Sequence, residues 1–81
     1  MKAELRDAIC ELLKKRSPGK TICPSEAARK AFPEDWRDYM ELTREVARDM
    51  SEEELIEICQ GGEVVDPAEA KGPIRLRLRS C

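Results

Sequence analysis

Three arginines alternate with apolar residues near the end of the chain, Arg75, Arg77 and Arg79, with Lys71 shortly before them. Three more, Arg37, Arg44 and Arg48, recur in the middle of the chain, and Lys20 follows a glycine. Rows of guanidinium and ammonium groups are the chemistry that meets phosphates or an acidic partner. Catalysis has no comparable set. There is no histidine, which removes the usual general base and most hydrolytic triads. The cysteines Cys10, Cys23, Cys59 and Cys81 form no CxxC pair, so their spacing does not describe a zinc site. Gly19-Lys20-Thr21 resembles the end of a phosphate-binding loop, but Lys14 stands where that loop needs its first glycine. The expectation is a protein that is not an enzyme, with no cofactor and no metal. Its thiols should be reduced, with Cys10 and Cys23 largely buried.

The elements that position these cations follow from periodicity. Ile74, Leu76 and Leu78 alternate with the three arginines, the period of a strand with one buried face. Such a strand needs a partner. Residues 55–60 supply one, with Ile56 and Ile58 inward and Glu57 outward, able to pair across the ribbon with the arginines. A rival reading makes Ser51–Gln60 a helix opened by a capping box; the strand is preferred. Gly61-Gly62, then Asp66-Pro67 as the cap of one helical turn, then Gly72-Pro73 make the intervening stretch a long ordered loop, a wing. Lys20–Cys23 is β-favouring and can add a third strand.

Upstream, Leu5, Ile9, Leu12 and Leu13 give a helix over about 3–16, stopped by Ser17-Pro18-Gly19. Pro24-Ser25-Glu26 opens a second helix over about 24–32, and Pro33-Glu34-Asp35 opens a third over about 33–50. Trp36, Met40, Thr43, Ala47 and Met50 form the core stripe of that third helix, so Trp36 is expected mostly buried. With 41% hydrophobic and 40% charged residues, the 81-residue chain can bury one modest core, read as a single domain 1–81. No apolar run approaches the ~20 residues that cross a bilayer, and Glu4, Arg6 and Asp7 interrupt any signal-peptide stretch. A cytoplasmic protein with no membrane contact is expected. The fold class is α+β: a small winged-helix-like domain of three helices and a two- or three-stranded antiparallel sheet.

Three segments also resemble one family: Arg16–Arg29 (RSPGKTICPSEAAR), Asp35-Trp36-Arg37, and Val65–Leu78 (VDPAEAKGPIRLRL). Together they are similar to a bacterial family of domains of unknown function, DUF three-two-five-three. The resemblance implies a winged-helix-like domain and no established activity. One departure is Ser51–Glu54, where the pattern leads one to expect a glycine-containing turn before the strand.

Charge decides between the binding functions. Residues 33–54 carry three arginines against nine carboxylates, the wrong sign for a helix entering a DNA groove. At about 100° per residue, Asp38, Glu45 and Asp49 lie opposite the core stripe and Arg37, Arg44 and Arg48 along one flank. Arg37 with Glu41, Glu41 with Arg44 and Glu45 with Arg48 are spaced to pair. The first reading is therefore a non-catalytic module that binds another protein. The alternative is a nucleic-acid binder that uses the wing and Arg75, Arg77 and Arg79. Lys20, Arg37, Arg44, Arg48, Lys71 and the three strand arginines are the candidate contacts for either.

Overall fold

A computed structural model describes residues 1–16, 19–67, 69–70 and 72–79. Helix α1 spans Lys2–Lys15, strand β1 Thr21–Ile22, helix α2 Pro24–Ala31 and helix α3 Met40–Glu52. Strands β2 (Ile56–Gln60), β3 (Glu63–Val64) and β4 (Arg75–Leu78) follow. The strands form one antiparallel sheet in the order β1-β4-β2-β3. Three helices on a four-stranded sheet make the α+β architecture expected, consistent with a winged-helix-like fold. The sheet has one strand more than the sequence suggested, because Gly61 and Gly62 both take positive φ and fold Glu63–Val64 back along β2.

Ile58 pairs with Leu76, and Leu76 in turn with Ile22. All three are buried. Their inward faces meet Leu5, Ile9, Leu13, Val46 and Met50 from the helices, so the core is aliphatic. Thr43 is the buried polar residue among those described; its hydroxyl donates to the Tyr39 carbonyl at 2.6 Å and is satisfied.

The third helix does not begin at Pro33. Phe32, restricted by the following proline, ends α2 at φ −136° and ψ 75°. A turn over 33–35 and a short 3-10 helix, Trp36–Tyr39, intervene before α3. At its other end α3 takes Ser51 and Glu52 as its last residues, and Ile56–Gln60 is strand.

The turn between them has no glycine. Glu54 adopts φ +63° instead. The Leu55 amide donates to the Met50 carbonyl and the Glu54 amide to the Ser51 carbonyl, each at 3.0 Å. These two bonds define a Schellman ending, a position that usually holds glycine. Here the backbone bonds and the half-buried Leu55 at the core edge hold a glutamate there.

Cys23 caps α2: the Glu26 carboxylate accepts from its amide at 2.7 Å, and the Glu26 amide donates to its carbonyl at 2.9 Å. Cys10 and Cys23 are half-buried rather than largely buried; among the described residues Cys59, on the Glu57 side of β2 and opposite Arg75, is the buried thiol. Cys10, Cys23 and Cys59 are unbridged, and Cys81 lies outside the described residues. No helix among the described residues is long and apolar enough to cross a membrane.

Candidate functional site

The strand arginines spend their donors inside the fold. Arg75 donates through Nε to the Thr21 hydroxyl at 3.0 Å and through a terminal nitrogen to the Thr21 carbonyl at 3.2 Å, fastening β4 to the β1 edge. Arg77 faces Glu57 across the β2–β4 ladder and reaches one carboxylate oxygen with two nitrogens, at 2.9 and 2.7 Å. That hydrogen bond raises the Arg77 pKa above its ordinary value. Arg79 lies 3.9 Å from Glu54, a loose exposed pair. The cross-ribbon pairing expected for Glu57 is thus realised at Arg77.

Glu45, Asp49 and Glu53 do not form an outward acidic face. Lys2 reaches Glu45 at 3.1 Å and Asp49 at 3.9 Å, and Arg6 reaches Glu53 at 2.7 Å. These acids close a seam with α1, whose cations cannot be read from the wheel of α3 alone. The Arg6 hydrogen bond holds the Glu53 carboxyl below its ordinary pKa. Within α3, none of the three expected arginine–glutamate pairs forms among the described residues; Glu45 pairs with Lys2 instead.

Arg44 and Arg48 are exposed on the opposite flank. They border a cleft of about 60 Å³ between α3 and the loop from β3 to β4, whose other walls are Pro67, Ala70, Gly72 and Ile74. That loop is pinned at both ends: the Val65 amide donates to the Ile58 carbonyl at 2.9 Å, and Gln60 donates to the Pro73 carbonyl at 3.2 Å. The expected helical turn is present, since the Glu69 and Ala70 amides both donate to the Asp66 carbonyl. Lys71 lies outside the described residues. Lys20 is exposed just before β1.

A second surface was not legible as one. Trp36 is half-buried and stands outside the core cluster, correcting the expectation that its ring fills the core. The Arg29 guanidinium lies 4.3 Å and that of Arg37 4.6 Å from its ring centroid. Tyr39 stacks on Phe32, with centroids 3.9 Å apart and planes at 16°. Phe32 also lines a shallow hollow of about 350 Å³ with Ala31, Pro33, Glu34 and Asp35. All the aromatics of the chain therefore gather at the corner between α2 and α3. The signal was their confinement to residues 32–39; a helix drawn through that stretch hid it.

A family model described as a protein of unknown function, DUF3253, matches residues 2–79. The chain belongs to the DUF3253 family. A comparison with curated proteins finds no match. The DUF3253 match spans both surfaces, the aromatic corner and the arginine cleft. It also includes Ser51–Glu54, where the expected glycine is absent and Glu54 takes the left-handed conformation.

Proposed function

We propose that this DUF3253 chain is a non-catalytic, winged-helix-like binding module that docks another protein, in a cytoplasmic setting. The aromatic corner carries the reading. A small chain with one Phe, one Tyr and one Trp leaves Trp36 and Tyr39 half-exposed outside its aliphatic core and sets Arg29 and Arg37 over the indole. Trp, Tyr and Arg are the residue types that dominate protein–protein hot spots. The adjoining hollow has an apolar floor at Ala31, Phe32 and Pro33 and a carboxylate rim at Glu34 and Asp35, suited to an apolar anchor flanked by a cation.

The nucleic-acid alternative draws less support. Its principal residues, Arg75 and Arg77, already donate to Thr21 and Glu57. Affinity capture from the native host at low salt, with the parent chain and Trp36→Ala as baits, tests the proposal. A protein held by the parent and lost by a folded Trp36→Ala bait is the expected result. Recovery of nucleic acid alone, or of a protein indifferent to Trp36, overturns it.

A further inference from the structure

We propose that the cleft between α3 and the β3–β4 loop is a binding site for a single phosphoryl group, held by Arg44 and Arg48. The inference rests on these residues and not on the aromatic corner. Among the described residues, Arg44 and Arg48 are the arginines with neither an ion pair, a hydrogen bond nor a ring partner. They stand one helical turn apart on α3, so their side chains are neighbours. Both line the same cleft, and among the described residues no carboxylate lines it with them.

The chemistry selects the ligand. A carboxylate presents two oxygens and one charge, a match for one guanidinium fork. A phosphoryl group presents three acceptor oxygens and up to two charges, enough for both forks. The remaining wall of Pro67, Ala70 and Ile74 is apolar, which limits water and strengthens the attraction between unlike charges. The cleft volume is about 60 Å³, more than one water needs. It leaves room for a compact polyatomic anion. The wall is also preformed. Gly72 sits at φ +83°, a conformation that a side chain would strain, and the loop is anchored through Val65 and Pro73.

The test is an amide NMR titration of the full chain with inorganic phosphate at constant ionic strength. Saturable shifts centred on Arg44, Arg48, Ala70 and Gly72 are expected. In Arg44→Gln/Arg48→Gln the affinity falls about tenfold or more, since charge-assisted hydrogen bonds are lost, while the urea midpoint stays that of the parent. Acetate at equal concentration produces no such shifts. Phenyl phosphate distinguishes the source. Binding with inorganic phosphate assigns the cleft to an ester-borne phosphoryl group; failure while inorganic phosphate binds assigns it to the free ion. Shifts spread evenly over Lys14, Lys15 and Lys20, shifts that persist in the double variant, or acetate binding as well as phosphate would overturn the proposal.

Discussion

The outer face of β4 and the flank of α3 carry the same residue type at regular spacing and put it to different use. Arg75 and Arg77 stand over neighbouring strands that offer a threonine hydroxyl, a carbonyl and a carboxylate within 3.2 Å. Arg44 and Arg48 stand beside a loop wall of Pro67, Ala70, Gly72 and Ile74, which offers no acidic side chain. Glu45, spaced to pair with Arg48, is drawn instead to Lys2 on the far side. What a row of arginines does is thus decided by the acceptors on the next element, not by the row itself.

The sharpest contrast on β4 is between its two faces. Leu76, fully buried between Ile22 and Ile58, alternates with the arginines. Leu76→Ala should cost about 2–5 kcal/mol in a urea melt, which can unfold a domain this small. A loss under about 1 kcal/mol would mean that the inner face does not carry the sheet. At the aromatic corner, Trp36→Ala should cost about 1–2 kcal/mol, the scale of a half-buried ring and its cation contacts. A cost at the core-aromatic level of about 3–5 kcal/mol would return the indole to the core.

Glu54→Gly should stabilise by about 1 kcal/mol, because glycine takes positive φ without the Cβ penalty. Among the contacts given up there, the Arg79 pair is loose and exposed. An unchanged or lowered melting temperature would show that the left-handed turn is not strained. The smallest effect concerns pH. The folded-state pKa of Glu53 is depressed by Arg6. Its contribution to stability is therefore present above the ordinary carboxylate pKa and lost as pH falls through the lower folded value. Melts of the parent and Glu53→Gln should differ at neutral pH and converge in acid; a constant difference would contradict the pairing.

Some of this was legible in the sequence because it is periodic. The alternation of Ile74, Leu76 and Leu78 gave β4 its face, and Pro24 with Glu26 placed the start of α2. Pro33-Glu34-Asp35 has the same grammar as Pro24-Ser25-Glu26, yet no α-helix starts there. Tyr39 folds back onto Phe32, and that contact is invisible to a local rule. The seam of Glu45, Asp49 and Glu53 with α1 was hidden for a like reason: a helical wheel shows one helix's faces but not its neighbour's charges. Of the candidate contacts, the chain order named the arginines but not their neighbours. Which were occupied depended on strand register, with Arg77 opposite both Glu57 and Thr21.

The exchange of arginine Nε–H protons, followed by NMR, tests the division between the two rows most directly. Arg75 and Arg77 both donate through Nε within the fold, at 3.0 and 2.9 Å, and their signals should be protected. Those of Arg44 and Arg48 should exchange as fast as free arginine and slow when phosphate is added. Equal exchange across all four, or protection of Arg44 and Arg48 alone, would contradict it.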